Sequence, residues 1–339
     1  KVGVAQISDF LTSSFKILVQ VIATFLGYEA AGLAGGFVTG LLAGFFLNFH
    51  YLPLRLARFG LRHLKSLFSF SFWIFLASAG STVFATTDTI LIGYFLTNAD
   101  VGIYRVSYQL TGIATFVCLA VNTALFPRIS RWNTDGNLPS IGSALTRAIT
   151  FSLLLAIPVI AGGILLSEKL LYYLYGSDFV AGAQALTVLL IMQIVTIFVT
   201  LQITCLNAMD RPKDSFIATS FAALVNIGLN FILIPFLGIV GAALATLASI
   251  SMTAVISLWY LSRHLEISLD FPPLLNILIA TGVMGGAVLV FRFLTGISSF
   301  PSLLGTILVG ALLYFAVLFR IDPDLRHEAG DLLRTVGLL

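Results

Sequence analysis

AGAQALTVLLIMQIVTIFVTLQITCLN, residues 181–207, runs for 27 positions without an Asp, Glu, Lys or Arg. A helix rises about 1.5 Å per residue, so roughly 20 apolar residues cross a hydrocarbon core about 30 Å thick. This stretch is long enough to span a bilayer. Lipid offers no water to unpaired backbone amides, so a span of this kind must be a helix rather than an open strand.

Outward from it, similar stretches recur at 7–27, 31–51, 69–96, 102–127, 143–166, 214–236, 239–261, 273–294 and 301–320, with the charges concentrated in the gaps. Over 339 residues the chain is 58% hydrophobic and only 10% charged, which excludes an ordinary water-soluble domain. The expected fold class is an all-α polytopic membrane protein of about ten transmembrane helices. Such a bundle confines function to transport, signalling or intramembrane chemistry. Gly27-Tyr28-Glu29 and Leu237-Gly238 read as tight turns between neighbouring spans. Gly32–Gly40 and Gly282–Gly286 read as close helix contacts, and Pro158 as a kink in its span. Cys118 and Cys205 fall inside spans and read as small hydrophobes, not as a disulfide framework. The chain opens with Lys1-Val2-Gly3-Val4 close to its first span and has no initiator Met, so residues upstream are expected.

Orientation follows from the cations. With the first span running outward, Lys1, Lys16, Arg55, Arg58, Arg62, Lys65, Arg128, Arg131, Arg147, Arg211, Lys213, Arg263, Arg320, Arg326 and Arg334 lie inside. Only Arg105, Lys169 and Arg292 lie outside. The positive-inside rule selects this arrangement, which puts both ends of the chain in the cytoplasm. Between spans two and three, Arg55, Arg58, Arg62 and Lys65 recur at helical steps beside an apolar stripe of Leu54, Ala57, Leu61, Leu64 and Phe68. That pattern predicts an amphipathic helix on the inner membrane surface. It acts either as a topology anchor or as a lipid-headgroup site.

A charge inside a span costs roughly 2.5–3.5 kcal/mol on insertion scales, so each one needs a partner or a cavity. Asp88 is the sharpest case, about 12 Å below the outer end of its span at 1.5 Å per residue. It reads either as a proton, cation or substrate contact or as an interhelical bonding partner. Lys16 either snorkels to the inner interface or faces a cavity. Arg105 either reaches headgroups or closes on Asp88 as an outer gate. Gln20, Gln109, Asn122, Gln193, Gln202, Asn226 and Asn230 add neutral polar groups. Asn226 and Asn230, four apart, share one helix face. Phosphate-loop, zinc-helix and CxxC motifs are absent, and His50, His63, His264 and His327 are far apart in sequence. No catalytic residue, metal site, cofactor or nucleic-acid partner is expected.

Several motifs carry a resemblance. Phe126-Pro127-Arg128-Ile129-Ser130-Arg131, the run Thr87–Phe95 followed by Val101-Gly102-Ile103-Tyr104, Tyr175-Gly176-Ser177-Asp178-Phe179, and Asn230–Pro235 followed by Gly238–Ala243 occur in a characteristic order. The chain resembles the polysaccharide flippases of the multidrug/oligosaccharidyl-lipid/polysaccharide exporter superfamily over roughly residues 1–320. The resemblance implies two six-helix lobes about a central cavity. On that pattern residues 1–51 match the last two helices of a first lobe, 52–68 the cytoplasmic linker and 69–262 the six-helix second lobe. Residues 271–320 match an extra C-terminal helix pair and 321–339 a cytoplasmic tail. Four helices of the first lobe would precede this chain. The implied activity is translocation of a polyprenyl-linked oligosaccharide across the cytoplasmic membrane by alternating access. The implied partners are the lipid bilayer, H+ or Na+ as coupling ion, and polysaccharide biosynthesis enzymes. A sugar chain on a diphosphate needs a polar, somewhat cationic cavity, for which Lys16, Gln20, Asp88, Gln109, Asn122, Asn226 and Asn230 are the candidate lining. The resemblance supports only Asp88 and the basic Arg128/Arg131 gap directly. Multidrug extrusion or lipid II flipping are the alternatives within the superfamily. An integral-membrane glycosyltransferase or polymerase is disfavoured because the longest outer gap, 167–180, is too small for a sugar-transfer site.

Overall fold

The computed structural model describes residues 2–51, 86–265 and 271–322, and every regular element in them is helical. The chain divides into two compact units, Lys1–Ala77 and Ser78–Leu339. The amphipathic linker expected over 52–68, with Arg55, Arg58, Arg62 and Lys65, lies outside the described residues, as does the tail beyond 322.

In the first unit, α1 (Val2–Phe25) and α2 (Glu29–Tyr51) form a hairpin. The turn needs Gly27, whose φ of 82° lies in the left-handed region that side chains disfavour. The helices approach closely because α2 presents Gly32, Gly36, Gly40 and Gly44 at four-residue spacing. Cβ atoms added there would lie 2.7, 2.4, 2.7 and 2.6 Å from side-chain atoms of Ala23, Gln20, Lys16 and Thr12. Helices in lipid gain little from hydrophobic burial, so such backbone-to-backbone packing is what binds them. Gly36→Leu should therefore separate the hairpin, at an overpacking cost of about 1–3 kcal/mol. Gly35→Leu, where an added Cβ meets nothing within 4 Å, should not. The check is a disulfide between cysteines at positions 12 and 44, where a Cβ added at Gly44 would lie 3.4 Å from that of Thr12. The expectation fails if the cross-link forms equally in both variants.

The second unit is built around α8 (Ala183–Ala208), which packs against α4, α5, α6 and α9. A described helical stretch at 86–95 forms α3. Thr97 then starts α4 (Asn98–Thr111) with a capping box in which its side chain and that of Asp100 satisfy each other's backbone amides. A 3₁₀ turn, Gly112–Thr115, breaks the span before α5 (Phe116–Thr134). Next comes α6 (Leu138–Leu165), with Asn137 capping its first turn and Pro158 inside it. Ile141, Leu145, Ile149 and Leu153 line one face of α6 at four-residue spacing and are buried in one cluster with Leu186, Leu190, Ile197 and Leu201 of α8. The short α7 (Ser167–Tyr175) and a 3₁₀ turn at Ser177–Gly182 lead into α8.

The helical segment α9 (Pro212–Ser262) has 51 residues and would be about 77 Å long if straight, more than twice the bilayer core. It reverses at Gly238, where φ is 59° and ψ is −140°, a conformation that glycine alone adopts readily. The two expected spans, 214–236 and 239–261, are its two arms. The C-terminal pair, α10 (Phe271–Thr295) and α11 (Phe300–Ile321), packs on α6. Tyr314 donates to the Leu154 carbonyl at 2.6 Å, and Arg292 donates to the Leu165 carbonyl at 2.8 Å, satisfying an acceptor at the end of α6. The close contacts expected from Gly282–Gly286 are largely absent. Cβ atoms at Gly282 and Gly286 would meet nothing within 4 Å, and only Gly285 faces a neighbour, Leu165. The tight approach to α11 falls instead at Gly310, against Val288 and Met284.

Among the described residues, six segments are long and apolar enough to cross a membrane: Asn98–Thr134, Leu138–Leu165, Ser177–Ala208, Pro212–Ser262, Phe271–Phe293 and Phe300–Ile321. The first unit adds shorter apolar runs at Leu11–Phe25 and Ala31–Phe46. The protein is a multi-pass, all-α membrane protein.

Candidate functional site

Asp88 sits on α3 two turns before its C-terminal end, and three helical segments converge on its carboxylate. The phenol of Tyr104, from α4, donates to Oδ2 at 2.8 Å. The amide of Asn230, from the first arm of α9, donates to Oδ1 at 2.8 Å. The hydroxyl of Thr246, from the second arm, donates to Oδ2. Hydrogen bonds to an ionised group contribute about 1.5–3 kcal/mol each, so three of them offset much of the cost of holding a carboxylate away from water.

A second layer backs the first. Asn230 also donates to Asn226 Oδ1 at 3.0 Å, one turn away on the same face. Asn226 in turn donates toward Thr246 Oγ1 at 3.4 Å and Ser249 Oγ at 3.3 Å. Asn226, Asn230 and Ser249 are essentially inaccessible, and the Oδ1 atom of Asn230 is buried without a donor. The reversal at Gly238 creates this network. Asn230 lies eight residues before the turn and Thr246 eight after it, so the hairpin sets them side by side. Gly241 permits the close approach, since a Cβ there would lie 2.2 Å from the Leu233 carbonyl oxygen. The surroundings are apolar. Leu91, Ile92, Leu189, Met192, Ile234 and Ala242 pack with Tyr104 in one buried cluster, and Phe95 meets Phe231 edge-on at 5.7 Å.

The front of the site is open. Asp88, Thr89, Tyr104, Arg105, Tyr108 and Gln109 line a cleft of about 320 Å³. Arg105, Tyr108 and Gln109 are exposed on it, while Asp88 is half-buried. Arg105 and Asp88 share this cleft without forming an ion pair. The ion pairs seen among the described residues are Arg211–Asp214 at 3.1 Å and Arg292–Glu168 at 3.3 Å. The arrangement is a single carboxylate amid neutral oxygens, closed behind and open ahead. The carboxylate can meet a small cation or hydrogen-bond donors from the cleft. Among the described residues no group of three His, Cys, Asp or Glu side chains is placed to hold a metal ion.

The structure thus brings Asp88, Asn226 and Asn230 together and sets Gln109 on the same cleft. Asn122 stands apart on α5, beyond the 3₁₀ turn, with a buried, unpartnered Oδ1. Arg128 and Arg131 are exposed near the end of α5. Lys16 and Gln20 belong to the first unit. The Gln20 amide donates to the Leu33 carbonyl at 3.0 Å, and the Lys16 ammonium stands 5.8 Å from the Phe37 ring. Gln193 and Gln202 tie α8 to Thr111 and Ser257 respectively, as interhelical struts. Tyr104, Thr246 and Ser249 escape a reading based on charge and depth, because neutral hydroxyls are common in spans. Symmetry about Gly238 is the signal that could have found Thr246.

A family model described as polysaccharide biosynthesis protein matches residues 4–184. "Probable low-salt glycan biosynthesis flippase Agl15" of Haloferax volcanii is 28% identical over 315 residues, covering 92% of this chain and 66% of that protein. "Probable flippase AglR" of the same organism is 27% identical over 347 residues, covering 98% and 70%. Among solved structures, the lipid II flippase MurJ in its inward closed conformation has the same fold. Its TM-score is 0.77 at 20% identity, covering 93% of this chain and 67% of that one. The chain therefore spans about two-thirds of the length of the curated relatives it matches.

Proposed function

The chain belongs to the polysaccharide biosynthesis protein family, and on that premise we propose that it serves in flipping a polyprenyl-linked oligosaccharide across the cytoplasmic membrane by alternating access, driven by a cation bound at Asp88. The names of the two Haloferax volcanii relatives support the activity and the substrate class. The physical task fits the chemistry. A charged, hydrated headgroup cannot enter hydrocarbon unaided, whereas its lipid tail can stay there. No bond is made or broken, so the reading is of a transporter rather than an enzyme. Its partners are the biosynthetic enzymes that assemble the substrate on the cytoplasmic side. The cation bias supports a chain whose two ends face the cytoplasm. On the same reading residues 1–51 close a first lobe, 69–262 form the second, and 271–320 are an added pair.

The observation that carries the proposal is Asp88: an ionisable group on α3, open to a cleft and, among the described residues, bonded to neutral donors. An intramembrane carboxylate of this kind marks an ion pathway. The coupling ion is H+ or Na+. The oxygens nearest the carboxylate, Thr246 Oγ1 and the unpartnered Oδ1 of Asn230, favour Na+, because a proton needs only one oxygen. The test uses the full-length protein in proteoliposomes with a fluorescent polyprenyl-diphosphate oligosaccharide. An imposed Na+ gradient should raise its flipping rate at least several-fold above that without a gradient. Flipping indifferent to both Na+ and pH gradients would remove the coupling, and export of a lipophilic cation instead of the oligosaccharide would remove the substrate class.

A further inference from the structure

We propose that the C-terminal pair α10–α11 is locked to α6 and α7 and moves with them as one rigid body through the transport cycle, keyed by the Tyr314 phenol to a main-chain carbonyl that Pro158 leaves free. The part that concerns the cycle rests on the transport reading above. The lock begins in the sequence of α6. A helical carbonyl accepts from the amide four residues on, and position 158 is proline, so the Leu154 carbonyl lacks that donor. A proline inside a span is tolerated in lipid when a neighbouring helix satisfies the group it frees. Here α11 does so: the Tyr314 phenol donates to the Leu154 carbonyl at 2.6 Å. The Tyr314 ring is 1% exposed and packs in one cluster with Met284 and Val288 of α10, so the donor is held in place.

Two further attachments fix the turn end of the pair. Arg292 of α10 donates to the Leu165 carbonyl, at the end of α6, and pairs with Glu168 of α7 at 3.3 Å. In the other direction, Tyr173 of α7 donates at 3.1 Å to the carbonyl of Ile297, in the turn between α10 and α11. Ile297 is fully buried beside Leu166 and has a φ of 37°, which a β-branched residue rarely adopts, so its surroundings hold the turn in this form. Leu154 and Leu165 stand about 16 Å apart along α6 at 1.5 Å per residue. With the third point on α7, the pair cannot slide along α6 or swing away unless these bonds break together. Packing alone would hold it poorly. An apolar cavity of about 310 Å³, lined by Pro158, Gly162, Gly163, Met284, Gly310 and Tyr314, remains between the pair and α6, and apolar contact gives helices little net attraction in lipid.

The test uses the full-length protein in proteoliposomes and has two arms. In the first, Leu165→Cys is combined with Gly285→Cys, because a Cβ at Gly285 would lie 3.5 Å from a terminal methyl of Leu165. The two are joined by a short, membrane-permeant bis-methanethiosulfonate; Cys118 and Cys205 are buried. The cross-link should form, and flipping of the fluorescent polyprenyl-diphosphate oligosaccharide should continue at an unchanged rate. Flipping that stops on cross-linking and returns on reduction overturns the rigid body, since the pair must then move against α6. Failure of the cross-link to form overturns the docking itself. Absence of flipping before any cross-link overturns the transport reading, and with it the part of this inference that concerns the cycle. The second arm is thermal unfolding, which needs no transport. Tyr314→Phe should lower Tm by several degrees, and by much less when Pro158→Ala restores an amide at position 158. An unchanged Tm in Tyr314→Phe, or an equal fall in both backgrounds, overturns the keying of Tyr314 to the carbonyl that Pro158 frees.

Discussion

Gly241→Val should destroy the Asp88 site without altering any of its polar atoms. The two arms of α9 are in backbone contact there. A Cβ at 241 would stand 2.2 Å from the Leu233 carbonyl oxygen, 2.5 Å from its carbon and 3.0 Å from the Ile234 nitrogen. These are main-chain atoms within a helix, so no rotamer change relieves the clash and the hairpin must open. Thr246 and Ser249 lie on the arm that moves, and hydrogen bonds fail when the donor and acceptor separate beyond about 3.5 Å. Overpacking costs about 1–3 kcal/mol, and each buried group left without a partner about 1–3 kcal/mol more. With Asn226, Asn230 and Asp88 all affected, the total reaches about 4 kcal/mol or more, which is large beside ordinary stabilities. The measurement is thermal unfolding together with Na+ binding: a fall in Tm of many degrees and loss of binding are expected. Gly228→Ala is the matched control, since a Cβ there meets nothing within 4 Å. An unchanged Tm and intact binding in Gly241→Val would mean that the arms are not held in this contact.

Asp88→Asn should reduce cation-driven flipping to background, at least about 100-fold, while the protein still inserts and folds. The substitution keeps the size of the side chain and removes its charge. It also disrupts the bonding pattern. Both carboxylate oxygens accept from donors, Oδ1 from Asn230 and Oδ2 from Tyr104 and Thr246. An amide offers one oxygen and one NH2, so one of these donors would face another donor. That mismatch costs about 1–3 kcal/mol locally, enough to loosen the site but not to unfold the bundle. The check compares flipping in proteoliposomes with membrane insertion and Na+ binding. Full activity with Asn would reduce Asp88 to a bonding strut between α3, α4 and α9.

Much of the architecture was legible in the amino-acid order because lipid leaves few choices. Residues 181–207 had to be a helix, and Leu237-Gly238 marked the turn between the spans 214–236 and 239–261. Asp88 stood out for the same reason: a carboxylate in a span is costly, so its presence is informative. Asn226 and Asn230 could be placed on one face by spacing alone. The remainder depended on distances that sequence does not encode locally. Tyr104 is 16 residues from Asp88 and Thr246 is 158, yet both reach the same oxygen. Neither residue type is rare in a span, and neither spacing is a helical period. The glycines make the same point. Gly36 and Gly282 look alike in sequence, but an added Cβ at the first would meet Gln20 and at the second nothing, because only packing decides which face of a helix has a neighbour. Local free energy in hydrocarbon determined that this protein is a helical membrane bundle and which charge needs a partner or a cavity. The tertiary structure alone decided which neutral side chains surround that charge, since weak interhelical bonds form only where close-packed backbones have already brought their partners within reach.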